Sequence, residues 1–133
     1  MKIEIINFPK HGDERGALVV LEEQKSVPFN VKRIYYMFDT KKDVRRGFHA
    51  HKKLRQLAIP VQGHCKFLLD DGNESIEILV DNPTQGLMIE PMIWHEMFDY
   101  SENCVLMVLA DDYYDESDYI RNYEEFKQRV TNG

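Results

Sequence analysis

Two histidines two residues apart, His49 and His51, are the groups in this sequence best suited to acid–base chemistry. We expect the segment from Gly47 to His51 to form a β-strand, in which alternate side chains point to the same face. Both imidazoles are therefore expected to point into one space. Because an imidazole titrates near neutral pH, such a pair can take up and release protons during a reaction.

A third histidine belongs to a second segment, where Gly86, Pro91 and His95 follow one another. The first segment continues with Gln56 and Gly63. This order resembles the two sequence motifs of the cupin superfamily. In metal-binding cupins the motifs supply three histidines and a glutamate, and the corresponding positions here are His49, His51, Gln56 and His95.

Gln56 departs from the metal-binding pattern. A neutral amide is a poorer ligand for a divalent cation than a carboxylate. Three histidines could still hold zinc or iron, so a metal-dependent cupin enzyme remains one alternative. The other interpretation is that the histidine pair acts as acid and base without a metal.

Two arginine–glycine segments carry a further resemblance. The segments Arg46–His49 and Asp13–Leu18 resemble two stretches of the nucleotide-sugar 3,5-epimerases, which are also cupins. In those enzymes the histidine of the first stretch is a metal-free catalytic base, and the arginine of the second contacts the substrate diphosphate. The resemblance implies these roles for His49 and Arg15. A 3,5-epimerase also needs an acid on the opposite sugar face, usually a tyrosine, and no residue here stands out for that role.

A closer resemblance, to the dTDP-4-keto-6-deoxyglucose 3,4-ketoisomerases, covers nearly the whole chain from about Ile6 to Phe126. These are small bacterial cupins that make precursors of 3-amino-3,6-dideoxy sugars. The segments that carry the resemblance are Val31–Tyr36, Phe38–Thr40, Arg46–Lys53, Leu69–Gly72, Trp94–Met97, Leu109–Ala110, Asp112–Glu116 and Asp118–Arg121.

This resemblance implies an isomerase that converts dTDP-4-keto-6-deoxy-D-glucose into a dTDP-3-keto-6-deoxyhexose. It implies catalysis by His49 and His51, with no metal and no other cofactor. It also implies a homodimer whose subunits exchange N-terminal strands. The sequence leaves the configuration of the product at C4 open.

The implied reaction suits an imidazole pair. Moving a ketone from C4 to C3 requires removal of the C3 proton, an enediol or enediolate, and protonation at C4. We assign His49 as the base at C3 and His51 as the proton shuttle or oxyanion donor. The isomerisation is redox-neutral, and the sequence has no glycine-rich dinucleotide fingerprint, so no nicotinamide is expected.

Basic residues are concentrated around the histidine pair. Nine of the chain's 17 lysines and arginines lie between Lys32 and Arg55, although the net charge is −6. A diphosphate carries about two negative charges, and guanidinium groups match its oxygens. The residues predicted to bind substrate are Arg15, Arg33, Tyr35, Arg46, Lys53 and His95. Each could instead be structural: a surface charge, a core aromatic or a hydrogen-bonded histidine.

Short apolar or alternating runs separated by turn residues predict a mainly β protein, a cupin-type jelly roll or β-barrel with a short C-terminal helix. Besides the histidine strand, the predicted strands are Ile3–Phe8, Ala17–Leu21, Val31–Phe38, Gln56–Val61, Cys65–Leu69, Ser75–Val80, Gly86–Ile89, Trp94–Phe98 and Cys104–Ala110. The 4, 3, 4 spacing of Tyr119, Tyr123, Phe126 and Val130 predicts a helix capped by Ser117.

Composition limits the remaining classes. The 133 residues suit one domain, and 43% hydrophobic content supports a packed core. The acidic balance argues against nucleic-acid binding, and no run is long enough to span a membrane. Two cysteines and the absence of a signal-peptide pattern predict a cytoplasmic protein. The open alternatives to the ketoisomerase are a metal-dependent cupin enzyme, a 3,5-epimerase and a non-catalytic sugar-binding cupin.

Overall fold

Hydrogen bonding between short strands arranges the chain into two five-stranded antiparallel sheets and a separate hairpin. The structure is a computed structural model, and it describes residues 1–132. The strands are β1 (Ile5–Asn7), β2 (His11–Asp13), β3 (Gly16–Leu18), β4 (Arg33–Met37), β5 (Arg46–His51), β6 (Gln56–Gln62), β7 (Cys65–Asp70), β8 (Ser75–Val80), β9 (Gln85–Ile89), β10 (Trp94–Phe98), β11 (Val105–Ala110) and β12 (Tyr119–Ile120). The first sheet has the order β1-β9-β6-β11-β4, and the second has the order β12-β5-β10-β7-β8.

The main core lies between the two sheets. Leu106 and Val108 of β11 pack into the same cluster as Phe67 and Leu69 of β7, and all four side chains are buried. Such residues alternate along each strand because successive side chains of a strand point to opposite faces. The mainly β architecture expected from the sequence is thus confirmed.

A second core covers the outer face of the first sheet. Leu57 and Ile59 of β6 point away from the main core and pack against Phe8, Val27 and Phe29 from the N-terminal segments. The two faces of β6 are therefore both buried. Burial on both faces explains why this strand is a nearly continuous apolar run.

The helix α1 (Tyr123–Asn132) begins later than the sequence predicted. Tyr119 pairs with His51 as part of β12, so the predicted start of the helix and its cap at Ser117 are wrong. The side chain of Asn122 instead accepts a hydrogen bond from the backbone N–H of Glu125 at 2.9 Å. Strand pairing with β5 therefore overrides the helical spacing that begins at Tyr119.

The helix packs on the outer face of the second sheet. Phe126 is fully buried in a cluster with Trp94, Ala50 and Ile120. Full burial of a side chain of this size contributes about 1.5–3 kcal/mol, so Phe126 is a main contact between the helix and the sheet. In the described residues no helix is both long and apolar enough to cross a membrane.

The hairpin of β2 and β3 was only partly anticipated. β2 was not predicted, and the strand predicted over Ala17–Leu21 spans Gly16–Leu18. All six residues of these two strands are exposed. A strand without a buried face leaves little hydrophobic pattern in the sequence, which explains the omission. The other predicted strands are confirmed, with ends that differ by at most two residues.

Candidate active site

Three histidines from two neighbouring strands form the centre of the site. His49 and His95 are direct cross-strand partners of β5 and β10, and their ring centroids lie 4.4 Å apart. The His51 ring centroid lies 5.1 Å from that of His49 and 6.0 Å from that of His95. The sequence prediction that His49 and His51 share one face of a strand is confirmed, because Ala50 between them packs into the cluster under the helix.

A β-bulge sets the direction of His49. His95 pairs with His49 and Glu96 pairs with Gly47, so Phe48 is an extra residue in β5. Gly47 and Phe48 have φ angles of +94° and +61°, which are unusual inside a strand. A Cβ atom at Gly47 would lie 2.8 Å from the carbonyl oxygen of His95. Glycine is therefore required at this position of the strand.

Two of the imidazoles are oriented by backbone carbonyls. Nδ1 of His49 lies 3.0 Å from the carbonyl oxygen of Gly47, and Nδ1 of His95 lies 3.2 Å from that of Ile93. A carbonyl can only accept, so these contacts assign the ring proton to Nδ1 in both neutral imidazoles. In each ring Nε2 is left with its lone pair.

His51 is oriented by a different kind of group. Its Nδ1 lies 3.3 Å from a carboxylate oxygen of Asp118, and only 3% of its side chain is exposed. Asp118 precedes β12, and Tyr119 is the cross-strand partner of His51. The Tyr119 ring centroid lies 4.3 Å from that of His51 and 5.0 Å from that of His49.

All three histidines are held in the neutral state. Burial lowers the pKa of His51 to about 4, with a further decrease from the charge of a protonated His49, and Asp118 only partly opposes it. Burial is also the main cause of the lowered pKa values of His49 and His95. Near neutral pH the site therefore offers unprotonated nitrogens, which can act as bases.

A tyrosine and a glutamine from the first sheet form a hydrogen-bonded pair beside Arg33. The Tyr35 hydroxyl donates a hydrogen bond to Oε1 of Gln56 at 2.7 Å. Although 37% of Tyr35 is exposed, the enclosure of its hydroxyl raises the pKa to about 12. Tyr35 is thus a neutral hydrogen-bond donor, and Gln56 occupies the position where metal-binding cupins carry a glutamate.

Charged residues cover the ring of Tyr119. The Arg121 guanidinium lies 4.1 Å from the centre of that ring and forms an ion pair of 2.7 Å with Glu116. The Tyr114 hydroxyl also donates to Glu116. The hydrogen bonds from Arg121 and Tyr114 lower the pKa of Glu116 to about 2. These contacts help to hold the Tyr119 ring in place beside His49 and His51.

Two of the predicted binding residues line a cavity beside His51. The cavity has a volume of about 300 Å³, and its walls include Arg33, Lys53 and Tyr119. Nε of Arg33 is buried and has no hydrogen-bond partner among residues 1–132. The Arg33 guanidinium lies 5.6 Å from the centre of the Tyr35 ring, which connects the cavity to the histidine pocket.

Within one chain the structure does not bring Arg15 and Arg46 to this cavity. Arg15 lies in the turn of the β2–β3 hairpin, where its side chain is 85% exposed and pairs with Asp13 at 2.6 Å. Arg46 begins β5 but lines a separate cavity of about 270 Å³ with Tyr36 and Tyr100. Their predicted contacts with substrate are therefore not made at this cavity within one chain, and they stay predictions.

Comparison with known proteins agrees with this geometry. The sequence profile of the family described as "FdtA: WxcM-like, C-terminal" matches residues 1–131. The chain is 55% identical over 130 residues to a curated protein of Aneurinibacillus thermoaerophilus, TDP-4-oxo-6-deoxy-alpha-D-glucose-3,4-oxoisomerase. This alignment covers 98% of the chain and 94% of that protein.

Two crystal structures are also similar. A 3,4-ketoisomerase from Helicobacter canadensis is 45% identical, with a TM-score of 0.95 and coverage of 98% of both chains. QdtA, a sugar 3,4-ketoisomerase from Thermoanaerobacterium thermosaccharolyticum solved in complex with TDP, is 42% identical. Its TM-score is 0.96, and the match covers 98% of this chain and 95% of that one. The chain belongs to the TDP-sugar 3,4-ketoisomerase family.

Membership of the 3,4-ketoisomerase family confirms the resemblance found in the sequence and makes the chain an isomerase. The structural neighbours also confirm the cupin-like fold. The residues that would carry the isomerase chemistry in this chain follow from its own geometry.

Sequence reasoning missed several groups of this ketoisomerase pocket. Asp118 and Tyr119 were assigned to a helix, and Arg121 and Glu116 were not singled out. The only sequence signal for them is that Asp112–Glu116 and Asp118–Arg121 are two of the segments that carry the family resemblance. A two-residue strand such as β12 has too few residues to show a periodicity.

The histidine cluster also has the composition of a metal site. One nitrogen from each of His49, His51 and His95 lies within 4.8 Å of the other two. Two nitrogens that bind one zinc ion at about 2.0–2.1 Å can lie at most about 4.2 Å apart, so any pair near the 4.8 Å limit would have to move closer together. The fourth cupin position is Gln56, whose oxygen already accepts the Tyr35 hydroxyl. The residues present therefore fit a metal poorly in this arrangement.

Proposed function

We propose that the chain converts dTDP-4-keto-6-deoxy-D-glucose into a dTDP-3-keto-6-deoxyhexose by proton transfer through His49 and His51. The observation that carries this proposal is the pair of neutral imidazoles on one strand face, each with Nδ1 near an acceptor and Nε2 left for substrate. The curated relative from Aneurinibacillus thermoaerophilus, named for the corresponding TDP-sugar reaction, supports the choice of substrate.

The reaction moves one hydrogen between carbons and one between oxygens. His49 removes the C3 proton, and the C3–H electron pair forms a C3–C4 double bond while the carbonyl pair moves to O4. His51 takes the O3 proton at its free Nε2 and delivers it to O4. The O3 electron pair then forms the C3 carbonyl, and C4 receives a proton from protonated His49. Two separate acid–base groups suit this sequence, because carbon and oxygen positions exchange protons on the same substrate.

His51 is suited to the transfers at O3 and O4. Its ring lies next to that of His49 at a centroid distance of 5.1 Å, so the two can serve adjacent atoms of one sugar. His95 faces His49 and can accept a hydrogen bond from a substrate hydroxyl at Nε2. To stabilise a developing oxyanion, the neutral Tyr35 hydroxyl would have to turn its proton from Gln56 to the substrate.

The diphosphate is proposed to bind in the cavity lined by Arg33 and Lys53. The unpartnered Nε of Arg33 supports this assignment, because a buried guanidinium nitrogen without an acceptor is costly unless a ligand supplies one. Four aspartates also line this cavity, and each of their carboxylates accepts a hydrogen bond from a backbone N–H group. These aspartates are Asp111, Asp112, Asp115 and Asp118.

A homodimer with exchanged N-terminal segments would bring Arg15 to a partner subunit's pocket. Strand β1 pairs with β9 within the chain, but the exposed β2–β3 hairpin pairs with no other strand of the described residues and could reach a second copy. The outer strand β4 also exposes Ile34 and Tyr36, and Phe38 follows it, so a second copy could cover this apolar surface. Arg15 and Arg46 are retained as proposed substrate ligands on this basis.

The product of this reaction carries a ketone at C3. A ketone at that position is the substrate that an aminotransferase needs to install a 3-amino group. We therefore place the reaction in the synthesis of 3-amino-3,6-dideoxy sugars.

The decisive experiment is incubation with dTDP-4-keto-6-deoxy-D-glucose in deuterated water, followed by NMR of the product. The expected product has its carbonyl at C3, with deuterium at C4 introduced by the histidines. Deuterium at C3 and C5 with the carbonyl still at C4 would identify a 3,5-epimerase. Binding without any exchange would identify a sugar-binding protein, and either result would overturn the proposal.

The same assay tests the metal-dependent alternative, for which the three histidines have the composition but not the spacing. The experiment is repeated after exhaustive chelation, together with elemental analysis of the protein. The proposed mechanism predicts unchanged turnover after chelation. A loss of activity that zinc or iron restores would instead support a metal-dependent cupin enzyme.

A further inference from the structure

The three imidazoles of the pocket differ in the group that lies nearest to Nδ1. His49 and His95 each direct Nδ1 at the carbonyl of the residue two positions earlier, at 3.0 Å and 3.2 Å. His51 makes no such contact, although it lies on the same strand as His49. The acceptor nearest its Nδ1 is a charged group, the Asp118 carboxylate, at 3.3 Å.

Asp118 is itself fixed by the backbone it faces. One of its carboxylate oxygens accepts the N–H of Lys53 at 2.9 Å, and the other accepts that of Leu54 at 3.2 Å. The backbone carbonyl of Asp118 also accepts the N–H of Lys52 at 2.9 Å. The carboxylate is therefore anchored to the chain immediately after His51, and this anchoring leaves it little freedom to move away from the ring.

The contact between His51 and Asp118 leaves one buried nitrogen atom without a hydrogen bond. Nδ1 of His51 is fully buried and has no well-aligned hydrogen-bond partner in residues 1–132, although Asp118 Oδ2 lies close. A buried ring nitrogen without a partner is costly, and a small rotation of the ring towards the carboxylate would satisfy it. An ionised carboxylate accepts hydrogen bonds and cannot donate them, so this contact requires the ring proton to be on Nδ1.

We propose that Asp118 is a positioning residue that keeps the proton of His51 on Nδ1 and reserves Nε2 for exchange with the sugar. This inference rests on the proposed role of His51 in proton transfer. With Nδ1 occupied, the ring accepts and releases its exchanging proton at one defined atom. The carboxylate also stabilises the imidazolium that forms between the two steps, whereas the carbonyls facing His49 and His95 carry no net charge.

The variant that separates this role from a structural one is Asp118→Asn. The amide oxygen can still accept a backbone N–H, so the anchor is partly kept. The amide oxygen best keeps the shorter backbone contact, that of the Lys53 N–H at 2.9 Å, which puts the NH₂ in the Oδ2 position facing Nδ1 of His51. An NH₂ there needs an acceptor, which moves the ring proton to Nε2. The matched control is Asp71→Asn. The Asp71 carboxylate accepts the N–H groups of Asn73 and Glu74 at 2.8 and 2.9 Å but contacts no histidine.

The primary readout is the tautomer of His51, measured by ¹⁵N NMR of the whole protein and assigned by the signal lost in His51→Asn. We expect Nδ1–H in the wild type and in Asp71→Asn, and Nε2–H in Asp118→Asn. A wild-type His51 that carries its proton on Nε2 would overturn the proposal. This measurement needs no substrate, so it stands even if Asp118→Asn fails to fold.

The second readout is turnover. Asp118→Asn should lower kcat roughly tenfold to a hundredfold, as is common for partners that orient a functional imidazole, and change KM little. Asp71→Asn should leave kcat unchanged. An unchanged kcat in a folded Asp118→Asn protein with the altered tautomer would overturn the positioning role. Wild-type protein with the expected tautomer but no isomerase activity would overturn the proposed function instead.

Discussion

His49 and His95 face each other as direct cross-strand partners, and each ring is oriented by the carbonyl oxygen two residues earlier on its own chain. This repeated arrangement presents the same nitrogen of both rings to the pocket. This arrangement depends on the bulge at Phe48. Without this extra residue in β5, the side chains that precede His49 would point to the opposite faces of the sheet.

Replacing the proposed base tests its role directly. His49→Asn should keep the fold and the affinity for substrate but lower turnover by about 10²–10⁴-fold, because a general base contributes rate enhancements of this size. His51→Asn should also be severe, and the double variant should show less than the product of the two losses. Steady-state kinetics with matched circular dichroism spectra measures this.

The control for that experiment is His64→Asn, which changes an exposed histidine in the turn between β6 and β7. Its kinetics should match the wild type. Near-normal turnover in folded His49→Asn would remove this residue from the proposed mechanism.

Gly47→Ala should damage both stability and catalysis. The new Cβ would lie 2.8 Å from the His95 carbonyl oxygen, at a φ of +94° that side chains disfavour. We expect a loss of about 1–3 kcal/mol in the free energy of unfolding, measured by urea denaturation. We also expect a lower kcat, because the shift moves the carbonyl that orients His49.

Gly63→Ala is the matched variant for Gly47→Ala. Gly63 has a φ of +71°, and its Cβ would meet Ser101 and Asn103, away from the histidines. It should lose stability but keep its kcat in the folded fraction. Equal effects of the two variants on kcat would argue against a specific role for the bulge.

The buried histidines should make stability depend on pH. The pKa of His51 is about 4 in the folded protein and near 6.5 in an unfolded chain. The unfolded chain therefore binds more protons in this window. The stability linked to neutral His51 is complete above pH 6.5 and is lost as the pH falls towards 4. The free energy of unfolding should fall by up to about 1.4 kcal/mol per pH unit for each such histidine.

Denaturation of wild type and His51→Asn at a series of pH values checks this linkage. The variant should show a shallower slope below about pH 6.5 and a parallel course above it. Identical slopes throughout the acidic range would contradict the assignment of a buried, neutral His51.

Arg15→Ala should raise KM about ten- to a hundredfold with little change in kcat, since the diphosphate does not take part in the reaction. Added salt should weaken binding less in this variant than in the wild type, because one charged contact is already missing. Arg46→Ala is compared in the same assay, and Lys42→Ala, from the same basic segment as Arg46, is the control. A large loss of kcat at unchanged KM would place Arg15 near the reacting carbons instead.

The oligomeric state should be a homodimer at micromolar concentration, as measured by sedimentation velocity. The unpaired β2–β3 hairpin and the exposed apolar residues of β4 provide the physical reason. A compact monomer that is fully active at the same concentration would contradict both the dimer and the proposed path of Arg15 into a partner's pocket.

The sequence alone predicted the structure correctly where a pattern spans several residues or matches a known motif. The alternation in segments such as Cys65–Leu69 predicts strands with a buried face, and the structure has one over Cys65–Asp70. His49 and His51 could be placed together because period-two geometry alone determines their common face. His95 joined them through its position in the second cupin motif.

The sequence predictions that were wrong or missing concern contacts between residues far apart in the chain. The helical spacing that begins at Tyr119 is real, but pairing of β12 with β5 determines the local structure. The bulge at Phe48 has no signal beyond the neighbouring glycine. Asp118 reaches His51 only because two segments far apart in the chain become adjacent strands, and no local pattern records that.

The pairing of β12 with β5 also has a consequence for how the pocket is made. Asp118 and Lys53, joined by a hydrogen bond, lie 65 positions apart in the chain. During translation the histidine strand leaves the ribosome long before the segment that closes over it. Because folding follows synthesis from the N-terminus, the reactive imidazoles stay open to water until nearly the whole described chain has emerged. A nascent or truncated polypeptide would therefore hold both histidines and yet have no assembled pocket in which to use them.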